Sequence, residues 1–346
     1  MGQTLVIRAD ADPVTGTGHV MRCVALAQAW NRLGGSVIFH TAPLAPMLEE
    51  ILRRSGCRVS KALHFAGDSA DASGLITKAR DAKAVWVVQD GYHLHSDYQS
   101  RIKEAGLRLL VIDDFADEPS YSADIVLNQN VYARAQNYQA LGKDSRLLPG
   151  LDHVLLRQDF WTWQGKKKRV DEMRRALITF GGSDPRNMTG TALQAMADIE
   201  SDFELKVVVG PSNPRLDELR TQVREGNLEA EVLSNVQSMS EMLDWADLAV
   251  SAAGSTAYEF AFMGVPALLV QVADNQRRGA PLLAERGMAV DLGWHEDLTP
   301  QRMAASIREM MADKDRRTKM ARLGQAAVDG KGVARALTCM KEMSVG

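Results

Sequence analysis

Short apolar runs alternate with amphipathic stretches along most of the chain. In the first half the runs read as strands at Thr4–Ala9, Ser36–Thr41, Ala84–Gln89, Arg108–Asp113 and Asp124–Leu127, with helical patterns between most of them. Such alternation predicts βαβ units and a parallel sheet. Around Trp161–Arg175 it lapses into Trp-Thr-Trp-Gln-Gly-Lys-Lys-Lys-Arg. A basic run without periodicity reads as an interdomain linker, with a basic ligand patch as the alternative. The alternation then restarts with strand-like runs at Ala176–Phe180, Glu204–Val209, Glu231–Leu233, Leu248–Ser251, Ala267–Val272 and Ala289–Leu292. From Thr299 onward the sequence is helical in character, rich in Ala, Arg, Met and Glu. The expected architecture is α/β, with two Rossmann-like, doubly wound domains facing a cleft. The expected boundaries are 1–160 for the first domain, 161–175 for the linker and 176–346 for the second domain with its helical tail. Ligand loops should lie at the carboxyl ends of both sheets.

Composition narrows the class. At 346 residues, 45% hydrophobic and 25% charged, the chain has the make-up of a soluble globular protein with room for two cores. A formal net charge of −3 gives no electrostatic footprint for nucleic acid. Cys23, Cys57 and Cys339 are odd in number and widely spaced, which fits neither a disulfide framework nor a zinc site. The start of the chain lacks the apolar core of a signal peptide, and no apolar run approaches the ~20 residues that span a bilayer. A cytoplasmic, monomeric protein without a membrane partner is expected.

The stretch Ile7–Arg22 concentrates the chemistry of the first half. An apolar strand runs into a loop with Pro13, Gly16 and Gly18. A helical face then follows at Val20, Cys23, Val24, Ala27 and Trp30. His19 thus falls in the first helical turn, where the helix dipole disfavours imidazolium and leaves a proton-accepting ring. The glycines allow close approach to the backbone. A glycine-rich turn with an incidental histidine is the plainer reading. Asp10-Ala11-Asp12 resembles a metal-binding Asp-x-Asp but lacks a supporting ligand, so Asp10 is read as ordering the loop or orienting His19. His93-Leu94-His95 has a spacing seen in metal hydrolases without a further cluster beside it, so solvated loop histidines are expected. Asp113-Asp114, at a strand end, reaches the cleft or caps the next turn. A dinucleotide fingerprint is excluded: Met21 stands where the third glycine belongs, and no acidic residue ends the strand Val37–Thr41.

Two loops of the second half suit anions. Phe180-Gly181-Gly182-Ser183-Asp184-Pro185 joins a strand to a helix. It can offer backbone N–H groups to a phosphate, or form a tight turn capped by Ser183 or Asp184. In Ser251-Ala252-Ala253-Gly254-Ser255-Thr256-Ala257-Tyr258-Glu259, small residues admit a diphosphate to a helix start with two hydroxyls. Glu259 lies one turn beyond Ser255 on the same face, placed to accept both hydroxyls of a ribose or simply to face solvent. Asp274-Asn275-Gln276, opening the next helix, offers amides suited to sugar or phosphate.

The run Ser-Ala-Ala-Gly-Ser-Thr-x-x-Glu, then Gly-Val-Pro-Ala, then Asp-Asn-Gln resembles the carboxy-terminal half of GT-B nucleotide-sugar enzymes. Among these is the UDP-N-acetylglucosamine transferase that makes lipid II. The opening Arg-Ala-Asp…Gly-Thr-Gly-His-Val-Met-Arg-Cys resembles a narrower family. This family comprises the PseG-type hydrolases of pseudaminic acid biosynthesis, which release UDP from UDP-2,4-diacetamido-2,4,6-trideoxy-β-L-altropyranose. Val88–Tyr92, Leu109–Asp114 and His153–Phe160 are similar to it as well, so the match runs from about Leu5 to Gly293. The resemblance implies His19 as catalytic base, Gly16, Thr17 and Gly18 as a substrate loop, Tyr92 and Asn275 in contact with the sugar or diphosphate, and Gly182, Ser183, Ser255, Thr256 and Glu259 holding UDP. Beside these, Asp10 is expected in the catalytic site, Arg22 and Gln276 on the substrate and Gly254 on UDP. No cofactor or metal is implied. Gly91 departs from the family, where a bulkier residue often precedes the tyrosine, and the tail after Thr299 carries no assigned motif.

The reaction this implies is water attack at an anomeric carbon with inversion and loss of UDP. The alternatives are a GT-B glycosyltransferase with the same UDP site and a non-catalytic UDP-sugar-binding protein. The particular sugar rests on the resemblance alone.

Overall fold

The computed structural model describes residues 2–12, 16–64, 66–133, 138, 141–168, 170, 173–200, 202–226 and 228–345. The predicted loop positions 13–15 and the linker positions 169, 171 and 172 lie outside the described residues. The chain divides into two compact units. One holds residues 2–12, His19–Gln158 and Gly330–Val345; the other holds residues 16–18 and Asp159–Asp329.

In the first unit strands and helices alternate as β1 (Thr4–Ala9), α1 (Gly18–Arg32), β2 (Ser36–Thr41), α2 (Pro46–Arg54) and β3 (Cys57–Lys61). They continue with α3 (Ser69–Asp81), β4 (Ala84–Asp90), α4 (Ser96–Glu104) and β5 (Leu109–Ile112). β6 (Ile125–Asn128) and β7 (Arg146–Pro149) complete a seven-stranded parallel sheet of order β3-β2-β1-β4-β5-β6-β7. Because helices cover a parallel sheet on its faces, its inner strands are apolar almost throughout. Val6, Ile38, Val87, Leu109 and Val126 pack with Leu75 and Ala79 of α3 and Ile102 of α4. The order reverses between β1 and β4, where open α/β sheets bind their ligands.

The short helix α5 (Gln158–Trp161) leads to the second sheet. Here β8 (Arg175–Thr179), α6 (Met188–Ala197), β9 (Glu204–Val209), α7 (Leu216–Glu225) and β10 (Ala230–Ser234) are followed by α8 (Met239–Trp245) and β11 (Leu248–Ala252). α9 (Thr256–Met263), β12 (Ala267–Gln271), α10 (Gly279–Glu285) and β13 (Val290–Trp294) complete the parallel order β10-β9-β8-β11-β12-β13. Its switch point lies between β8 and β11. Ile178, Val207, Val250 and Leu268 form a core with Leu193 and Met196 of α6. Met303 and Ile307 of α11 (Pro300–Ala312) join the same core.

Three expectations are corrected. β3 and β7 are absent from the predicted strands. Both are sheet edges, partly exposed, so their apolar signal is weak. The stretch 161–175 groups with the second unit, where Lys168 Nζ donates to the Leu243 and Asp244 carbonyls at the end of α8. The helical tail divides. α11 and α12 (Lys314–Ala327) stay with the second unit, whereas α13 (Gly332–Val345) belongs to the first. Trp86 Nε1 donates to Ser344 Oγ at 2.9 Å, Arg335 Nη1 to the Asp152 carbonyl at 2.7 Å, and Arg146 pairs with Glu342 at 2.5 Å. Gly332 lies so close to the Val154 carbonyl that a Cβ would stand 2.2 Å from its oxygen. A terminal amphipathic helix can cover any sheet its connection reaches, and nothing in its own pattern names which.

Candidate active site

The carboxyl ends of β1, β4, β5 and β6 lie side by side, and the polar residues that follow these strands meet there. His19, in the first turn of α1, is buried. Its Nδ1 stands 2.6 Å from Asp90 Oδ1 at the end of β4. A carboxylate only accepts, so the hydrogen sits on Nδ1, an arrangement that in the uncharged ring leaves the lone pair on Nε2. Arg22 Nη2 also faces Nδ1 at 3.2 Å, but a guanidinium cannot accept, and the shorter Asp90 contact sets the tautomer.

Arg22 lies one turn along α1 and grips two carboxylates. Nε and Nη2 donate to the two oxygens of Asp90, both at 2.6 Å. Nη1 and Nη2 donate to Asp114 at 2.8 and 3.0 Å. Asp114 also accepts from the Tyr92 hydroxyl at 3.0 Å and from Asn130 Nδ2 at 2.7 Å. Burial pushes the Asp90 and Asp114 carboxyls up, but the charge of Arg22 outweighs it and holds both below the usual carboxylate range. Both stay ionised at neutral pH. Burial acts downward on Arg22, and the same two carboxylates reverse it. The Tyr92 phenol is pushed well above its ordinary value by burial and by the Asp114 charge, so it remains a neutral donor. Its ring meets the His19 ring edge-on with centroids 4.6 Å apart.

The structure therefore brings His19, Arg22 and Tyr92 together and assigns the carboxylate differently from expectation. Asp10, expected to orient His19 or the loop, accepts from Arg8 at 2.5 Å and from the Ala42 amide at 2.7 Å, and His93 stands 3.2 Å away. Burial pushes this carboxyl up, yet His93 and Arg8 hold it well below the usual range. Asp90 performs the orienting task instead. Arg22, expected on the substrate, is taken up by the two carboxylates. His95 pairs with Glu118 at 2.8 Å, so the two histidines of the His-x-His spacing have separate partners.

In the second unit the loops after β8 and β11 flank the switch point. Gly181 and Asp184 adopt left-handed φ values of 75° and 42°. Asp184 turns back to accept from the Met188 and Thr189 amides at 2.8 and 2.9 Å, capping α6 with its own carboxylate. The N-cap position itself is held by Asn187, not by Ser183 or Asp184 as expected, and Asp184 supplies the acceptors from three residues upstream. Gly210, after β9, is the residue that sequence reasoning passed over. A Cβ there would stand 2.1 Å from the Gly181 carbonyl oxygen and 2.5 Å from Gly182 Cα. Thr17 occupies the space a side chain on Gly182 would need.

The loop after β11 is built differently. Ser255 takes the N-cap position of α9 without a side-chain cap bond, while the Ala257 and Tyr258 amides bond back to the Gly254 and Ser255 carbonyls. Glu259 follows in the first turn, half-buried. Gln276 Oε1 accepts from the Val272 amide at 2.8 Å, which turns Nε2 toward Gly254, where a Cβ would lie 3.7 Å away. Asn275, half-buried, shares the same 3-10 turn, Asp274–Gln276. Gly254, Ser255, Thr256, Glu259, Asn275 and Gln276 therefore gather around the ends of β11 and β12.

Residues 176–332 match the glycosyltransferase family 28 C-terminal domain. The whole chain superposes on MurG of Acinetobacter baumannii with a TM-score of 0.68, covering 98% of this chain and 100% of that one at 15% identity. The chain has the GT-B fold. The sequence is 23% identical over 289 residues to a UDP-2,4-diacetamido-2,4,6-trideoxy-beta-L-altropyranose hydrolase of Campylobacter jejuni, covering 83% of this chain and 98% of that protein. An uncharacterised protein of Methanocaldococcus jannaschii is 25% identical over 281 residues, 79% of this chain. The match spans only 56% of that longer relative. Like other GT-B proteins, this one consists of two parallel-sheet α/β domains. Among its described residues no helix is long and apolar enough to cross a membrane.

Proposed function

We propose that this GT-B protein hydrolyses a UDP-linked diacetamido-trideoxy hexose, releasing UDP. His19 Nε2 takes a proton from water as the water oxygen bonds to the anomeric carbon. The bond from that carbon to the β-phosphate oxygen breaks, and its electron pair leaves with UDP. Attack opposite the leaving group inverts the anomeric centre. UDP is a good leaving group, so stabilising its growing charge matters more than protonating it. Amides and hydroxyls at Ser255 and Thr256 would take the diphosphate, with Gly182, Ser183 and Gly254 shaping the loops around it. Glu259 would accept the ribose hydroxyls, and Tyr92, Asn275 and Gln276 would contact the sugar. Gly16–Gly18 would line the substrate loop.

The observation that carries this reading is the His19–Asp90 contact at the first sheet's switch point. A histidine oriented through Nδ1 by a buried, ionised carboxylate is poised to accept a proton at Nε2. The hydrolase relative, aligned over nearly its full length, supports the choice of water as nucleophile. The test is incubation with the UDP-sugar and no acceptor. Release of free sugar and UDP, lost in His19→Ala, is the expected result. Turnover only on adding an acceptor would instead make the protein a transferase. Tight UDP-sugar binding without turnover would make it a binding protein.

A further inference from the structure

Behind Asp114 the polar network continues away from His19. Asn130 Nδ2, which donates to Asp114 Oδ1, also donates to Asn128 Oδ1 at 3.0 Å, as does the Asn130 amide. Asn128, at the end of β6, is completely buried. With its oxygen engaged in this way, its Nδ2 donates to the Tyr138 hydroxyl at 2.8 Å. That hydroxyl in turn donates to Asp113 Oδ2 at 2.7 Å. Every proton along this path has one consistent direction, because Asn128 can present only one orientation that satisfies both sides. Burial, together with the Asp114 charge, pushes the Asp113 carboxyl above its ordinary value despite the Tyr138 and Ala116 bonds.

We propose that Tyr138 and Asn128 are positioning residues for the His19 base. They act through Asn130, Asp114, Arg22 and Asp90 and touch no reacting atom. The inference rests on the reading of His19 as the base. Physically, Asp114 and Asp90 compete for one guanidinium. Asn130 fixes where Asp114 sits, and so fixes how far Arg22 leans toward Asp90 and leaves Asp90 aligned on Nδ1. The charged and titratable groups around His19 are Asp90 from β4, Arg22 from α1, Tyr92 after β4 and, through Arg22 and Tyr92, Asp114 after β5. Deleting the Tyr138 hydroxyl leaves the buried Asn128 Nδ2 without that acceptor and Asp113 without that donor. Asn128 then loses the anchor that holds its oxygen against the two Asn130 donors, and Asn130 shifts relative to Asp114.

The test is Tyr138→Phe, which keeps the ring, read by nitrogen NMR of the His19 imidazole in the full chain. Wild type should show one tautomer, hydrogen on Nδ1 and lone pair on Nε2. The variant should show a mixture of tautomers. Turnover should fall about tenfold with KM within about twofold, as misorientation of a catalytic group predicts. Tyr98→Phe is the matched control, since it removes a buried hydroxyl that donates to Asp71 at 3.1 Å on the Arg8 side. Its His19 spectrum should match wild type. A Tyr138→Phe spectrum identical to wild type would overturn the inference, whatever the activity. If wild type shows no hydrolysis, the reading of function fails while the tautomer measurement still decides the positioning role.

Discussion

His19 and Asp90 are 71 residues apart in the chain, yet their Nδ1 and Oδ1 atoms meet at 2.6 Å because β1 and β4 are neighbours in the sheet. In Asp90→Asn the side chain can present an amide to Nδ1 and favour the wrong tautomer. We predict a loss of about 10²–10⁴-fold in kcat with little change in KM, measured by steady-state UDP release. Asp90→Ala should also destabilise the fold by about 3–5 kcal/mol, because it strips a partner from the buried Arg22. Urea unfolding followed by circular dichroism measures this.

The pH dependence of stability follows from the depressed carboxyls. Asp10, Asp90 and Asp114 have folded values below their unfolded ones. Their contribution is therefore fully present above the unfolded carboxylate range and is lost as pH falls through the folded values. The contribution of these three carboxyls should be constant across neutral pH and fall away below about pH 4. Asp114→Asn should flatten the acid limb of a plot of urea midpoint against pH. An unchanged acid limb would contradict the depressed carboxyl.

How much of this was written in the sequence depends on the range of each interaction. The turn holding His19 could be read locally, since an apolar strand, glycines and a helical face follow one another within a few residues. The small-residue loop around Ser255 was legible for the same reason. Asp90 follows the strand-like run Ala84–Gln89 and precedes Gly91, so a carboxylate at the mouth of a central strand was in plain view. Its partnership with His19 depends on strand order, which no local pattern encodes. Asp10, nearer in sequence, bonds to the Ala42 amide just beyond β2 instead. Edge strands β3 and β7 and the return of α13 to the first unit were hidden for a similar reason. Half-exposed strands carry weak apolar signals, and a helix's face does not name its sheet.

In the second unit the α6 cap gives a separate expectation. Asp184→Ala should cost about 1–2 kcal/mol by removing a buried carboxylate from two amides, and Asp184→Asn should recover much of it. Thermal midpoints of the two variants make the comparison. Equal midpoints in the alanine variant and wild type would contradict the capping role.

Gly210→Ala should destabilise by about 1–3 kcal/mol, because its Cβ would collide with the Gly181–Gly182 backbone rather than with a side chain that can move. UDP affinity, measured by calorimetry, should weaken together with stability. Glu259→Ala should instead weaken UDP binding by far more than any change in stability accounts for. Undiminished affinity in that variant would remove Glu259 from the ribose site.

Hydrolysis in water enriched in oxygen-18, followed by mass spectrometry of both products, tests the oriented-histidine account most directly. If His19 activates water for attack at the anomeric carbon, the label enters the sugar and UDP stays unlabelled, and His19→Ala slows label uptake by about 10²-fold or more. Label in the UDP phosphate, or uptake by His19→Ala at the wild-type rate, would contradict it.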